Sequence, residues 1–188
     1  MSYFESYFLE SSKVLARVVE LSEEIEILAI KMWDALSAGN SIYWFGNGGS
    51  ASDAEHLAAE LAGRFRFDRK PLSSFALTAN SSLITAIAND YGYEEVFARQ
   101  VRAYVKEGDV VVGISTSGKS ENVYQALNQA KTQGAFSVAL VGSNANLLKD
   151  CNYVIRADSE ITSHIQEAHI AIGQAICGYI ENKILEND

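Results

Sequence analysis

Five short apolar segments, with helical patterns between them, constrain the fold of this chain more than any other feature. The segments are residues 41–45, 73–77, 109–114, 136–141 and 153–156. Strands that are apolar on both sides and alternate with helices belong to parallel sheets whose two faces are both covered. The sequence therefore predicts a doubly wound α/β fold, in which a five-stranded parallel sheet is sandwiched between helices.

A long helical segment precedes the first strand. Over residues 2–38, apolar side chains recur at helical spacing until Gly39 and Asn40 end the pattern. Apolar residues lie on more than one side, which fits either ordinary core packing or a surface shared with another copy of the chain. We expect a single domain over 1–188, with a helical oligomerisation arm at 1–38 and a ligand-binding α/β core at 41–188.

Composition excludes several classes of protein. The chain has 188 residues and a formal net charge of −9, which argues against a protein that coats nucleic acid or an anionic membrane. No apolar run approaches the ~18 residues of a membrane span, and no signal-peptide pattern opens the sequence. Cys151 and Cys177 have no C-x-x-C spacing and are expected to be reduced. The sequence predicts a cytoplasmic protein that binds neither nucleic acid nor membrane.

The loop after the first strand reads Gly-Asn-Gly-Gly-Ser-Ala over residues 46–51 and matches the glycine fingerprint of dinucleotide-binding folds. That fingerprint requires an acidic residue at the end of the second strand, whereas residues 77–80 are Leu-Thr-Ala-Asn. We therefore expect no nucleotide cofactor. The loop still brings glycine backbone and a helix N-terminus to the sheet edge, with Ser50 as the predicted helix cap and Asp53 in the first turn.

The loop after the third strand, residues 113–120, matches the phosphate-binding motif of nucleotide triphosphatases letter for letter. Its context differs, because Gly113 lies inside the predicted strand and neither later strand ends directly in a magnesium-binding aspartate. Backbone N–H groups, a helix N-terminus and four hydroxyl groups nevertheless form an anion cradle with little formal charge. These hydroxyls belong to Ser115, Thr116, Ser117 and Ser120. A phosphate group is the expected ligand.

The helix after the first of these loops carries His56 and Glu60 four residues apart, which places both on one face. This spacing serves a metal ion or an acid–base pair, although an exposed surface contact has the same pattern. Asp90 follows the third helix near the same sheet edge, in a functional or a capping role. A local basic cluster is either a solvated loop or an electrostatic rim for a phosphorylated ligand. It consists of Arg64, Arg66, Arg69 and Lys70.

The last helix, predicted over residues 161–185, has a buried stripe, and Gln166, His169 and Gln174 are expected to lie off it. Gln166 and Gln174 are eight residues apart, which is about 12 Å along the helix axis. If both reach active sites, they reach different sites or one site that two subunits build.

Four segments carry a resemblance to a known family. They are FGNGGSASDAEHLAAELAGRF (45–65), LITAIANDYGYEEVFARQV (83–101), GDVVVGISTSGKSENV (108–123) and HIQEAHI (164–170). Together they resemble the sugar isomerase (SIS) domain and, within it, the phosphoheptose isomerases. The resemblance implies a flavodoxin-like fold and a homotetramer with sites at subunit boundaries. It also implies conversion of sedoheptulose 7-phosphate to D-glycero-D-manno-heptose 7-phosphate through an enediol, a step toward the heptose of bacterial lipopolysaccharide.

The same resemblance implies a role for each candidate residue. It makes Glu60 the general base, and it implies that the four hydroxyls of the loop after the third strand bind the phosphate. The implied contacts of the sugar are Asn47, Gly48, Ser50, Asp90 and Gln166. A zinc ion, one per subunit, would be bound by His56, Glu60 and Gln166.

The resemblance breaks at two positions of the last helix. The family's second catalytic group is a histidine that aligns with Gln174, and a family aspartate aligns with Ser163. A glutamine cannot transfer protons near neutral pH, so Gln174 occupies the second catalytic position without that chemistry, and His164 or His169 is the available substitute. The alternative prediction is a non-catalytic tetramer that resembles the DnaA initiator-associating proteins and regulates replication by binding DnaA. The intact glycine and serine loops favour the isomerase.

Overall fold

The computed structural model describes residues 1–144 and 150–187. Over these residues the chain forms a five-stranded sheet in the order β2-β1-β3-β4-β5, and every neighbouring pair is parallel. The strands are β1 (Ile42–Gly46), β2 (Ser74–Ala76), β3 (Val110–Ser115), β4 (Phe136–Val141) and β5 (Tyr153–Arg156). The predicted doubly wound fold is confirmed, and β4 and β5 have the predicted bounds.

Helices cover both faces of the sheet, and two 3-10 turns, at Val18–Leu21 and Tyr93–Glu95, interrupt them. The helices are α1 (Tyr3–Arg17), α2 (Ser22–Ser37), α3 (Gly49–Ala62), α4 (Ser81–Tyr91), α5 (Ala98–Tyr104), α6 (Glu121–Thr132) and α7 (Thr162–Asn187). None of the helices in the described ranges has a stretch that is long and apolar enough to span a lipid bilayer.

Two apolar cores flank the sheet, because successive side chains of a strand point to opposite faces. Ile42 and Trp44 of β1 pack with α2, α3 and α7, whereas Tyr43 and Phe45 pack with α4, α5 and α6. All five residues of β1 are buried, as expected for an interior strand of a parallel sheet.

The N-terminal arm is not the single helix that the pattern over residues 2–38 predicts. A 3-10 turn at Val18–Leu21 separates α1 from α2. The turn begins with two successive valines, which are poor helix formers because their branched side chains restrict χ1. The break gives the two helices different neighbours: α2 contributes Leu28 and other residues to the core, whereas α1 lies on α7.

Polar contacts hold α1 against α7. Tyr7 Oη donates to Glu167 Oε1 at 2.8 Å, and Ser11 Oγ donates to the other carboxylate oxygen. The ring of His164 lies 4.6 Å from the ring of Tyr7. Burial raises the pKa of Glu167, but hydrogen bonds from Ser11, Tyr7 and His164 outweigh it, and the pKa is lowered overall. Glu167 is therefore ionised near neutral pH and accepts two hydrogen bonds from α1.

Arg69 does not belong to a solvated loop, because its side chain is only 3% exposed. It caps the end of α3, where carbonyl groups lack intrahelical partners. Its Nη2 donates to the Glu60 carbonyl oxygen at 2.7 Å, and its Nη1 donates to the Leu61 carbonyl oxygen at 2.8 Å. The expectation of a solvated basic loop is therefore wrong for Arg69. The sequence could not show this, since the charged partner is distant along the chain.

That partner is Glu181 of α7, which is 1% exposed. Arg69 Nε lies 3.2 Å from Glu181 Oε1, close enough for charge pairing but misaligned for a hydrogen bond. The backbone N–H groups of Phe65 and Arg66 donate to the carboxylate at 2.9 and 2.8 Å. Burial raises the pKa of Glu181, but these backbone hydrogen bonds and the guanidinium outweigh it, and the pKa is lowered. The ion pair joins the end of α3, the loop behind it and α7.

We expect Glu181→Gln to lower the free energy of unfolding by about 3–5 kcal/mol, because it leaves the buried Arg69 without a compensating charge. Denaturation of the variant and the parent in urea measures the difference. Glu95→Gln is the matched control, since Glu95 pairs with Arg102 at the surface and such pairs contribute about 1 kcal/mol or less. Equal losses in the two variants would contradict the structural role of Glu181.

Candidate functional site

Two polar loops meet at one edge of the sheet: the first loop, residues 46–51, and the second loop, residues 115–120. They follow β1 and β3, which are neighbours in the strand order. The order reverses between these strands, since β2 lies on one side of the pair and β4 on the other. Doubly wound folds bind ligands at such a point.

Glycines shape the first loop. Gly48 has a φ of +58°, a conformation that favours glycine, and it precedes α3 without a side-chain cap. A Cβ at Gly46 would lie 2.7 Å from both the carbonyl oxygen of Ile114 and the Cβ of Ser50, so glycine alone permits this approach. The prediction that Ser50 caps the helix is wrong, because α3 already begins at Gly49 and Ser50 is buried.

Amide side chains link the two polar loops. Asn47 Nδ2 donates to Asn122 Oδ1, and Asn122 Nδ2 donates to Asn47 Oδ1, both at 2.9 Å. Tyr93 Oη also donates to Asn47 Oδ1, at 3.0 Å, which brings the segment with Asp90 next to the first loop. Neither Asn122 nor Tyr93 stands out in the sequence. Asn122 is buried in the first turn of α6, which the sequence alone does not show.

Hydroxyl groups line the second loop. Ser115, the last residue of β3, and Ser120 place their Oγ atoms 3.1 Å apart. Ser117 Oγ accepts a hydrogen bond from the backbone N–H of Lys119 at 3.3 Å. A polar cavity of about 160 Å³ opens beside this loop. Its lining includes Thr116, Ser117, Lys119, Ser159, Glu160 and Thr162. An anion here would meet hydroxyls and the exposed ammonium group of Lys119, together with the carboxylate of Glu160.

Gln166 lies at the same edge of the sheet as the loops. A Cβ at Gly49, the first residue of α3, would lie 2.4 Å from Gln166 Nε2. Further along the two helices, a Cβ at Gly173 of α7 would lie 2.4 Å from Leu57 Cδ1 of α3. The helices α3 and α7 therefore run side by side in the same direction. Gln174, next to Gly173, is level with the middle of α3 and lies about 12 Å from Gln166 along the helix axis.

His56 lies in the middle of α3, and Glu60 lies near its far end. Their Nε2 and Oε1 atoms are 2.8 Å apart, and the side chains are 48% and 19% exposed. Their spacing predicts that the two side chains lie on one face of the helix, and the contact between them confirms this. Glu60 follows Gly49 by eleven residues, or about 16 Å of helix rise. Within one chain, the predicted base and the two polar loops lie at opposite ends of α3.

The three predicted zinc ligands do not meet within one chain. His56 and Glu60 offer an imidazole nitrogen and a carboxylate oxygen, which are both donors that zinc accepts. Gln166 lies beside Gly49, which precedes His56 by seven residues, or about 10 Å of helix rise. Among residues 1–144 and 150–187, no three His, Cys, Asp or Glu side chains are grouped so as to hold a metal ion.

The two histidines of α7 are poorly placed to replace a catalytic histidine. His169 was expected off the buried stripe, and that expectation is wrong: it is fully buried, and its Nε2 lies 3.0 Å from the carbonyl oxygen of Val141. Burial lowers the pKa of His169 to about 4, so the ring is neutral near pH 7. His164 is also buried, and its Nδ1 lies 3.3 Å from Glu167 on the side that faces α1.

Comparisons with known proteins place the chain in a family. Residues 6–142 match the model of the SIS domain. The chain is 51% identical to the probable phosphoheptose isomerase of Thermoplasma acidophilum, over 86% of this chain and 89% of that protein. It is 44% identical to the phosphoheptose isomerase of Aneurinibacillus thermoaerophilus, over 98% of this chain and 96% of that protein. The chain belongs to the phosphoheptose isomerase family.

A solved structure supports the same assignment. The phosphoheptose isomerase of Neisseria gonorrhoeae is 38% identical to this chain, with a TM-score of 0.89 over 95% of this chain and 97% of that one. This coverage includes most of the N-terminal arm as well as the sheet. The family that the loops and the α3 and α7 segments resemble in the sequence is therefore confirmed.

We expect the His169 ring to stay neutral down to about pH 5, because its folded pKa of about 4 lies below the ordinary value of 6.5. Between pH 6.5 and pH 4 the unfolded chain binds a proton that the folded chain does not. Stability should therefore fall as the pH drops through this window. Imidazole ¹⁵N NMR of the folded protein measures the titration, with the urea-unfolded chain as the reference. A folded-state midpoint near 6.5 would contradict the assignment.

Proposed function

We propose that the protein is an aldose–ketose isomerase that converts sedoheptulose 7-phosphate to D-glycero-D-manno-heptose 7-phosphate. The observation that carries the proposal is 40–51% identity to proteins named phosphoheptose isomerase, over most of the chain. The two polar loops on neighbouring strands agree with a phosphorylated ligand. The substrate is an anion, and the protein has a net charge of −9. Groups in the site therefore have to favour a negative charge locally.

The second loop is the proposed phosphate site. Its hydroxyls and backbone N–H groups donate hydrogen bonds, and the N-terminus of α6 favours negative charge. Such a cradle works without a basic protein, which suits a net charge of −9. The proposed donors are Ser115, Thr116, Ser117 and Ser120. The proposed contacts of the sugar are Asn47, Gly48, Ser50, Asp90 and Gln166.

Glu60 is the proposed base. Its carboxylate takes a proton from C1 of the ketose, the C–H electron pair forms the enediol, and the carboxyl group returns the proton to C2. The proton on O1 moves to O2 in the same conversion, so no atom is gained or lost and no redox cofactor is needed. Gln174 can hydrogen-bond these oxygens but cannot exchange a proton with them. We expect slower turnover than in a relative with histidine at this position.

The separation of Glu60 from the loops supports a site that is shared between subunits. A base must lie within about 3.5 Å of the carbon it deprotonates, whereas about 16 Å of helix separates Glu60 from Gly49. We propose a homotetramer in which Glu60 of one subunit serves the loops of another. The exposed outer surface of α1 suits such an assembly, since contiguous exposed apolar residues mark interaction sites. Its side chains include Tyr3, Phe4 and Phe8.

One zinc ion per subunit is proposed on the same basis. His56 and Glu60 of one subunit would supply two donors, and Gln166 of another subunit would supply a third. When bound, zinc would polarise the carbonyl oxygen of the sugar as a Lewis acid. The steps assigned to Glu60 and Gln174 do not depend on it.

The proposed location is the cytoplasm, and the proposed use of the product is the heptose of bacterial lipopolysaccharide. Cys151 and Cys177 are free thiols in the structure, which agrees with a reducing compartment. Burial raises the pKa of Cys177 to about 12 and that of Cys151 to about 11, so neither is a reactive thiolate near neutral pH.

Gln174 favours a second candidate function. Without a proton-transferring group at this position, the fold would suit a tetramer that binds the DnaA initiator and regulates replication without catalysis. The intact hydroxyl loop and the retained Glu60 favour the isomerase instead. Turnover of the sugar phosphate distinguishes the two functions.

Purified protein should isomerise sedoheptulose 7-phosphate, and Glu60→Gln should lower kcat at least about 100-fold, because an amide cannot accept the C1 proton. Quantifying ketose and aldose by ³¹P NMR measures the rate. Glu55→Gln is the matched control, since Glu55 is exposed on the same helix and has no proposed role. Binding of the sugar phosphate by the parent protein without any turnover would contradict the isomerase and favour the second candidate.

A further inference from the structure

One hydroxyl at the edge of the site has no part in the proposed function. Tyr93 begins the 3-10 turn Tyr93–Glu95, directly after Gly92, whose φ is +94°. The residue is 55% exposed, yet its Oη reaches the first loop and donates to Asn47 Oδ1 at 3.0 Å. An exposed phenol would be fully hydrated if it turned to solvent. Its hydrogen bond to Asn47, a proposed contact of the sugar, therefore points to a role in the site.

Counting hydrogen bonds at Asn47 shows what Tyr93 adds. A side-chain amide has two N–H donors and one oxygen with two lone pairs. Oδ1 accepts from both Tyr93 and Asn122, and one N–H of Nδ2 donates to Asn122. Both lone pairs are then occupied, and a single N–H of Asn47 is left for a ligand.

We propose that Tyr93 is a positioning residue: by occupying the second lone pair of Asn47 Oδ1, it fixes the amide so that its remaining N–H donates to an oxygen of the phosphorylated sugar. This inference rests on the proposed function, from which it takes the ligand. An amide held at three points presents a donor and no acceptor. Asn47 therefore selects a hydroxyl or phosphate oxygen through the lone pair of that oxygen.

The hydrogen bond from Tyr93 to Asn47 also restrains Asp90, a second proposed contact of the sugar. Asp90 lies near the end of α4, three residues before Tyr93, and its Oδ1 accepts from Asn89 Nδ2 at 2.8 Å. Gly92 turns the chain between the two residues. The hydroxyl of Tyr93 thus ties the turn after Asp90 to the first loop, and its loss would loosen Asn47 and Asp90 together.

Tyr93→Phe removes the hydroxyl alone. We expect KM for sedoheptulose 7-phosphate to rise about three- to tenfold, the range of one hydrogen bond. The kcat should stay within about twofold, because a contact made equally in the ground state and the transition state changes KM and not kcat. A loss of general stability would instead show as a lower thermal midpoint, which we expect to be unchanged.

Tyr91→Phe is the matched control. Tyr91 lies two residues away and is 52% exposed, and its hydroxyl accepts from Arg99 Nη2 at 3.1 Å instead of reaching the first loop. This variant should leave KM and kcat unchanged. A rise in KM equal to that of Tyr93→Phe would overturn the proposal, because the effect would then belong to the turn and not to the bond with Asn47.

A double-mutant cycle tests whether Tyr93 acts through Asn47. Adding Tyr93→Phe to Asn47→Ala should raise KM no further, because the bond is already absent. Equal KM in the parent and in Tyr93→Phe, or an undiminished effect in the Asn47→Ala background, would overturn the proposal and leave the isomerase intact. A parent protein that neither binds nor converts the sugar phosphate would overturn the proposed function and this inference together.

Discussion

The close parallel packing of α3 against α7 is the contact on which the rest of the molecule depends. At Gly173 a Cβ would lie 2.4 Å from Leu57 Cδ1, so the two helices approach more closely than a larger residue would allow. At the far end, the buried pair of Arg69 and Glu181 joins α3, the following loop and α7. Because α3 begins at the first loop, the contacts that fix these helices also fix the direction in which that loop presents its N–H groups.

This packing places the polar groups of one chain in two sets, one at the sheet edge where α3 begins and one further along the helix pair. Hydroxyls, amides and helix N-termini lie at the sheet edge, where an anion gains most from them. His56, Glu60 and Gln174 lie about two to three turns away along α3 and α7. A rigid helix pair cannot fold one set onto the other, so a second copy of the chain is the simplest way to bring both sets to one sugar. The homotetramer proposed above supplies that second copy.

Local sequence patterns predict most of this fold, since an apolar strand between turn residues depends mainly on its neighbours along the chain. The position of Gly113 inside β3 is predicted in this way, and it distinguishes the second loop from the loops of nucleotide triphosphatases. Contacts between distant segments cannot be predicted from local patterns. Asn122 bonds with a residue 75 positions earlier, and the partners of Arg69 and His169 are set by tertiary packing. A polar residue with a distant partner resembles a solvated one until the fold is known.

The most direct test of the shared site is subunit complementation between two variants that are each inactive. Glu60→Gln removes the proposed base, and Ser117→Asp places a negative charge in the proposed phosphate loop. A hybrid assembly of the two chains should recover isomerase activity, because an intact Glu60 from one chain then faces an intact loop from the other. If each site lies within one chain, every site in the hybrid carries a defect. A co-expressed and purified hybrid without sedoheptulose 7-phosphate isomerase activity, beside an active parent protein, would contradict the account.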